Sequence, residues 1–385
     1  MIKITDKTKC SGCSACANIC PKSCVAMIAD EKGFLYPQTN ESECINCGQC
    51  EKVCPMLNSF ESSGEKIAYA SYNKDENIRK IGSSGGLFGA LADEILSIGG
   101  VVFGASFTTN CKSVKHIVVE NKDDLKKLYG SKYLQSEIGD SYKLAENYLK
   151  QDRFVLFTGT SCQISGLKLY LKKDYEKLVT VDVICHGTPS PKVWSDYVTA
   201  KENEKKAKVV HAEFRNKRFT WQKSVLLLLL LSDGTEYCKL QSEDNYIKGF
   251  LNNLYLRPSC YSCKCKGKHI MSDITLGDFW GIGNVLPNIN VDSGISAVII
   301  NTERGKGIFE KIRQNLQVFD VGYSDILRYN PSLECSVGKP KKSDKFWKVY
   351  LTKGLNKAYK TSLYSSFFSR GYRLLKRVCK KIIKK

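Results

Sequence analysis

One pattern, written twice, governs the first fifty-five residues. Cys10-x2-Cys13-x2-Cys16-x3-Cys20-Pro21 is followed by Cys44-x2-Cys47-x2-Cys50-x3-Cys54-Pro55. Three close cysteines can wrap one set of corners of a 4Fe–4S cube, and the fourth thiolate comes from the other run. The spacing therefore assigns Cys10, Cys13, Cys16 and Cys54 to one cluster, and Cys44, Cys47, Cys50 and Cys20 to a second. A pair of structural zinc sites would also use CxxC pairs. Zinc asks for neither the third cysteine two residues on nor the terminal Cys-Pro, and here both occur in each copy. Cys24 lies outside the pattern and reads as a buried apolar residue.

This module, residues 1–60, has the ligand pattern of a two-cluster bacterial ferredoxin, with Lys32–Pro37 as the strand and turn joining its halves. Glu61-Ser62-Ser63-Gly64 reads as a linker. The chain has 385 residues and eighteen cysteines. With the polar start Met1–Lys9 read as no signal peptide, that density points to metal or redox chemistry in a reducing cytoplasm rather than to disulfides. No run approaches the ~18 apolar residues of a membrane-spanning helix. The longest, Val225–Leu231, is followed by Asp233-Gly234 and reads as a buried strand entering a hairpin.

Beyond the linker the pattern is mixed α/β. Strands are expected at Ile67–Tyr72, Val101–Phe107, Phe154–Phe157, Val179–Ile184 and Ile295–Ile300, and antiparallel hairpins from about 208 to 240. The turn Gly82-Ser83-Ser84-Gly85-Gly86 opens a helix whose apolar residues Leu87, Phe88, Leu91, Ile95 and Ile98 recur at helical spacing. Such a turn presents free N–H groups to an anion, and Arg79 and Lys80 just before it strengthen that reading against a plain tight connection. The loop Gly130-Ser131-Lys132-Tyr133 offers a lysine and aromatics to a ring-shaped cofactor. No GxGxxG fingerprint and no Walker lysine motif occur, since Gly281-Ile282-Gly283 is followed by Leu at 286. Nucleotide binding of those two types is therefore not expected.

Four further cysteines, Cys162, Cys185, Cys260 and Cys263, sit at a helix-opening turn and in glycine-, serine- or proline-rich loops. Gathered by the fold they would suit a third 4Fe–4S cluster. Structural zinc and inert buried thiols are the competing readings, and Cys265 is a spare or a substitute ligand.

Taken together, Gly82–Gly86, Gly130–Tyr133, Thr158-Gly159-Thr160-Ser161-Cys162-Gln163, Cys185-His186-Gly187 and Ser272-Asp273-Ile274-Thr275-Leu276-Gly277-Asp278 resemble the beta subunits of the deazaflavin-coenzyme hydrogenases and dehydrogenases, a family that includes a plant chlorophyll reductase. The resemblance spans roughly residues 64 to 320. It implies FAD in an α/β domain beside a 4Fe–4S cluster. Ser83, Ser84, Gly85, Gly86, Gly130, Ser131, Lys132 and Tyr133 would contact the FAD, and Cys162, Cys185, Cys260 and Cys263 would hold the cluster. Ser161 replaces the proline of the usual Gly-Thr-Pro-Cys pattern, and Cys265 is additional to the family's CxxC. His186 and Asp278 are the candidate catalytic groups near the flavin, His186 as a proton donor. A loop histidine bonded to backbone is the plainer alternative.

The fold expected is α+β: a small ferredoxin-like domain, then a mixed α/β flavin-binding domain over 64–335 with antiparallel hairpin insertions. The function implied is an iron–sulfur flavoprotein oxidoreductase. An external ferredoxin or reductase would feed the N-terminal clusters, then the third cluster, then FAD and an unidentified small organic substrate. Bacterial relatives often accompany polysaccharide genes, which makes a sugar-related substrate conceivable. The alternative is an electron-transfer subunit serving a partner enzyme.

The formal charge is +20, and sixteen Lys and Arg against the single acid Asp344 lie from Lys339 onward. Residues 339–385 read as a basic amphipathic tail. From Phe367 apolar and cationic residues alternate at helical spacing, which suits a helix on an anionic membrane surface at the inner face, a dock for an acidic redox partner, or a solvated tail. Nucleic acid is not expected, because the body lacks a matching basic signal.

Overall fold

The protein was analysed as a computed structural model, which describes residues 1–58, 60–61, 64–221 and 226–364. The expected lipid-binding helix after Phe367 falls outside the described residues.

The N-terminal module is built on the hairpin β1 (Val25–Ala29) and β2 (Leu35–Thr39), with short helices Ala15–Ile19 and Gln49–Lys52 carrying the cysteine loops. Asp30 shapes its turn by accepting the N–H groups of Lys32 and Phe34 at 3.0 Å each. Gly33 has φ +80°, and a Cβ there would stand 2.5 Å from Lys192 Cβ, so this turn is seated directly on the helix Pro191–Lys205. That helix starts at Ser190, whose hydroxyl caps Val193 N at 3.1 Å with Pro191 in the first turn.

The main sheet has nine strands: β3 (Ile67–Asn73), β4 (Val101–Phe107), β5 (Val114–Val119), β6 (Ser136–Glu137), β7 (Val155–Thr160), β8 (Leu178–Val183), β12 (Ile274–Asp278), β13 (Ser296–Ile300) and β14 (Leu316–Asp320). Their spatial order is β14-β3-β13-β12-β8-β7-β4-β5-β6. The centre, β12-β8-β7-β4, is parallel, and the antiparallel pairs β12–β13, β13–β3, β3–β14 and β4–β5 flank it. Parallel strands covered on both faces should be apolar on both. Val102 and Leu156 accordingly join the core with Leu91, Ile95 and Phe309, while Phe103 and Phe157 join the opposite core with Ile164, Leu167 and Tyr142.

A second, three-stranded sheet follows the order β11-β10-β9, from β9 (Val209–Asn216), β10 (Leu226–Leu231) and β11 (Glu236–Leu240). It shares a large aromatic core with the helices Pro191–Lys205 and Asn245–Leu251, around Trp194, Phe214 and Tyr246. The same core takes up part of the expected tail. Residues 341–353 and 355–363 are two helices that bury Phe346, Trp347, Tyr350, Ala358 and Tyr359. Up to Leu363 this segment is therefore a packed element: its lysines face out while its aromatics close the body.

The strand readings hold to within a few residues. The strand β13 leads into the helix Glu303–Ile312, at whose start Thr302 caps Gly305 N at 3.1 Å. Among the described residues no helix is long and apolar enough to cross a membrane.

Candidate functional site

The two cysteine runs exchange their fourth members in space. Cys16 is buried, and its thiol is pushed up to about 12, first by burial and then by the neighbouring Cys10 and Cys54. Cys54 is raised by burial too, with Cys10 beside it. Cys20, Cys44, Cys47 and Cys50 line one small cavity, and Cys24 lines it with them. Cys24 is buried as expected, but it is more than a packing residue: its sulfur lies 3.4 Å from that of Cys20. Ile2 donates its N–H to Cys50 Sγ at 3.3 Å, the kind of contact that favours charge on the sulfur.

The second cysteine set is assembled from three loops. Cys162 sits in the first turn of the helix Ser161–Leu171, whose start is fixed by a capping box in which Thr160 N donates to Gln163 Oε1 at 3.0 Å. Cys185 follows the end of β8, and Cys260 and Cys263 follow Arg257 through a short 3-10 turn. Cys162 has Cys263 and Cys260 as electrostatic neighbours, and Cys185 has Cys260, Cys162 and Cys263. The four candidates thus face one another. Burial raises Cys162 to about 12 and raises Cys185 and Cys260 as well. Cys263 is the exception: the Cys265 thiol hydrogen-bonds to it and pulls it down. This gives Cys265 a place beside the ligand set as a donor to Cys263. Among the described residues no three His, Cys, Asp or Glu side chains gather as a site for a single metal ion would need.

The carboxyl ends of β7, β8 and β12 open onto a cavity of about 600 Å³, the usual position for ligands in α/β sheets. Gly82, Ser83, Ser84, Gly86, Gly130, Ser131, Lys132, Tyr133, Cys162, Cys185, His186 and Asp278 all line it. The two loops are pinned to each other, since Ser83 Oγ accepts both Ser131 N at 2.6 Å and Ser131 Oγ at 2.9 Å. Gly85 is different. Its N–H bonds Ser296 Oγ at 2.9 Å, and a Cβ would stand 2.4 Å from the carbonyl of Ser71, so it serves the packing of the turn on β3 and β13.

Several expected donors are already engaged. The Lys132 amine contacts the carbonyls of Lys127, Leu128 and Tyr129 at 3.4, 3.0 and 2.8 Å. Arg79 lies in the helix Glu76–Ile81, stacks on Tyr72 at 3.8 Å and donates to the carbonyls of Gly294 and Asn290. It braces the loop behind the turn and does not add an anion-seeking charge in front of it. His186 Nε2 lies 2.6 Å from Asn253 Oδ1, its ring edge-on to Phe250, and burial lowers its pKa. Asp278 accepts Trp221 Nε1 at 3.0 Å and pairs with Arg215 at 3.0 Å, which makes it an anchor for those two groups.

Residues 152–321 match the family model for the C-terminal part of the coenzyme F420 hydrogenase/dehydrogenase beta subunit, and residues 9–57 match the 4Fe-4S dicluster domain. The chain thus carries a region similar to the C-terminal part of these beta subunits, with a dicluster domain in front. A chain of the F420-reducing NiFe hydrogenase complex from Methanosarcina barkeri is similar at 20% identity, over 77% of this chain and 94% of that one, with a TM-score of 0.49. No curated protein matches.

The region matched to the beta subunit model runs from before β7 to β14 and so includes all four cysteines of the second set, His186 and Asp278. Its motif Ser272-Asp273-Ile274-Thr275 serves the core. Asp182 is fully buried and accepts Ser272 Oγ at 2.7 Å, Thr275 Oγ1 at 2.6 Å and Ser161 Oγ. Asp273 accepts Thr180 N at 2.8 Å and Thr302 Oγ1 at 2.8 Å. These carboxylates lock the ends of β8 and β12 and the start of the Cys162 helix. Arg215 and Arg257, both buried, were not singled out from sequence, because their partners lie far away along the chain.

Proposed function

We propose that this chain is an iron–sulfur flavoprotein oxidoreductase acting on a small organic acceptor, rather than only a relay. The matches above support an iron–sulfur electron-transfer protein related to these beta subunits. The finer reading rests on one observation: Cys162 and Cys185 belong both to the second cysteine set and to the wall of the 600 Å³ cavity.

The donor chemistry fits the groups required. Each cysteine set offers four thiols, the donors that iron–sulfur clusters ask for. Cys10, Cys13, Cys16 and Cys54, then Cys44, Cys47, Cys50 and Cys20, would hold the two N-terminal clusters. Cys162, Cys185, Cys260 and Cys263 would hold a third. Burial that disfavours a bare thiolate is offset when iron supplies positive charge. The cavity is large enough for a ligand of cofactor class, with the Ser83–Ser131 bridge at its wall. When bound, clusters supply single electrons and a flavin converts these to two-electron reduction of an organic substrate. The chain's own residues do the remaining work. Thr188 N donates to Cys260 Sγ at 3.3 Å and Cys263 N bonds Ser336 Oγ at 2.8 Å, which fixes that loop. Phe250 and Leu251 shield the wall beside His186. The acceptor itself is unidentified; a sugar-related molecule is one class that the resemblance makes conceivable.

Cys47 is exposed, and Ile45 beside it is 59% exposed. An apolar, solvent-facing rim over the second N-terminal cluster suits docking of a redox partner, which would be the entry point in either reading. If the chain only relays electrons to a partner enzyme, the cavity would hold no flavin.

Anaerobic purification with iron, sulfide and flavin analysis decides. About twelve irons and one flavin per chain are expected. Replacing Cys162 or Cys260 with Ser is expected to remove about four irons and to leave the EPR signals of the N-terminal clusters. About eight irons and no flavin in the unmodified chain would reduce the protein to a relay.

A further inference from the structure

Beyond the groups already assigned, the cavity wall carries a buried cation that its neighbours do not satisfy. Arg215, at the end of β9, is 7% exposed and lines the cavity. Its Nη2 pairs by charge with Asp278 Oδ2 at 3.0 Å, yet neither Nε nor Nη2 has a hydrogen-bond partner. The guanidinium lies 5.0 Å from the centre of the Trp280 ring, and Trp280 stacks on Trp221 at 5.3 Å and 5°. The Tyr133 hydroxyl and Asp278 are its side-chain hydrogen-bonding neighbours, and they leave Nε and Nη2 without a well-aligned bond.

A buried donor left without an acceptor is destabilising, the more so when charged. Such a group persists where a ligand completes it. Two other cations lie in the same field, Lys217 and Arg79, against the acids Asp278 and Glu76. Lys217 is spent: its amine contacts the carbonyls of Arg79, Ser84 and Ser293 at 2.7, 2.5 and 2.8 Å. Arg79 is spent on Gly294, Asn290 and Glu76. Arg215 retains uncommitted N–H groups, and a guanidinium fork matches phosphate or carboxylate oxygens two at a time.

We propose that Arg215 is the anion-recognition residue of this cavity, held in place by Asp278 and Trp280, and that it takes a phosphate or carboxylate of the bound molecule. The proposal rests on the reading above only for what carries that anion: the diphosphate of a flavin dinucleotide, or an acidic group of the acceptor.

The test is calorimetry at low salt on the full-length protein, comparing wild type with Arg215→Met and Arg215→Lys, using FAD, riboflavin and inorganic pyrophosphate as probes. If the anion is the cofactor's, Arg215→Met weakens FAD by about tenfold or more while riboflavin binds as before. If it belongs to the acceptor, FAD is held equally by both, and pyrophosphate binding to the FAD-loaded protein is lost in Arg215→Met. Either result supports the site. Wild-type affinities for all three probes in Arg215→Met would overturn it. Should Arg215→Met also lose riboflavin, the fold is disturbed and Arg215→Lys decides. Selective loss of FAD or pyrophosphate supports the fork, and unchanged affinities reject it. A wild-type chain that binds pyrophosphate through Arg215 but no flavin would sink the flavin reading and leave the anion site standing. One that binds neither overturns both.

Discussion

Arg257 grips Cys10 from 247 residues away: its Nε donates to the Cys10 carbonyl at 2.7 Å, and its Nη2 lies 3.4 Å from the Cys10 sulfur. The same guanidinium, 1% exposed, bonds Leu35 O at 2.8 Å and Gln135 Oε1 at 2.9 Å and faces the Tyr36 ring at 4.3 Å. One side chain thus joins the cysteine module to the sheet domain, three residues before Cys260. Arg257→Met would strand two buried carbonyls and remove a charge, a loss of roughly 3–5 kcal/mol by analogy with broken buried pairs. Two results are expected. The unfolding midpoint in denaturant falls, and the cluster that Cys10 would hold becomes harder to reduce, because a positive charge beside its thiolate has gone. An unchanged midpoint together with an unchanged reduction potential in an EPR titration would reject this role.

Gly166 sets how closely the module approaches the Cys162 helix. A Cβ there would lie 3.0 Å from both Cβ and Sγ of Cys13 and 3.0 Å from Tyr142 Oη. Tyr142 is itself buried and donates to Gln163 O at 2.7 Å, so it has little room to yield. Ala in a helix interior is favoured over Gly by ~1 kcal/mol, which makes Gly166→Ala close to neutral as the two effects oppose. Gly166→Val has no such balance and is expected to lift the module off the helix. Hydrogen exchange should then quicken at Ala15–Ile19 and Ser161–Leu171. Protection equal to the wild type in Gly166→Val would show that this contact does not hold the module.

Asp182 offers a test of the polar lock beneath the site. It is fully buried, its pKa is raised by that burial, and its carboxylate is surrounded by the hydroxyls of Ser161, Ser272 and Thr275. Asp182→Ala leaves three hydroxyls facing a void, and a cost of about 3 kcal/mol or more is expected, measured as a shift in denaturant midpoint. Asp182→Asn keeps the volume and is expected to lose less. Equal midpoints for the two variants would mean that hydrogen bonding at this position is irrelevant.

What could be read from sequence followed the range of the interaction. The dicluster domain matched over residues 9–57 is legible because the cysteines of its two runs sit three and four positions apart in a repeated pattern, so spacing alone carries the signal. The parallel strands are legible because burial on both faces leaves short apolar runs such as Val101–Phe103. Gly82–Gly86 and Gly130–Tyr133 could be singled out as turns, and both line the cavity, but which atoms are spent inward could not be seen. Lys132 turns to three carbonyls and Gly85 packs on Ser71. The segment after Lys339 was judged by its lysines, although Phe346, Trp347, Tyr350 and Tyr359 carried the signal of a buried face. Arg215, Arg257 and Gly166 were out of reach, because each matters through a partner that only the fold brings near.

His116 makes the stability of this region depend on pH. It is buried on β5, stacked on Phe157 of β7, with Nε2 2.9 Å from Thr158 O and Nδ1 3.0 Å from Ser136 Oγ. That pairing fits a neutral ring whose Nε2–H donates to the carbonyl and whose Nδ1 accepts the hydroxyl. Its pKa is lowered from 6.5 to about 4, chiefly by burial, with the nearby Lys132 adding to the fall and the bond to Thr158 opposing it. Between those values the unfolded chain binds the proton and the folded chain does not. The contribution is therefore complete above pH 6.5 and is lost as the pH falls toward 4. From pH 7 to pH 5 the expected loss is about 2 kcal/mol, at 1.36 kcal/mol per unit. His116→Gln removes the titration, so the difference in unfolding free energy between wild type and variant should shrink by that amount over the same interval. Parallel pH profiles for the two proteins would show that His116 is charged in the folded state or exposed to water, contrary to its place in the structure.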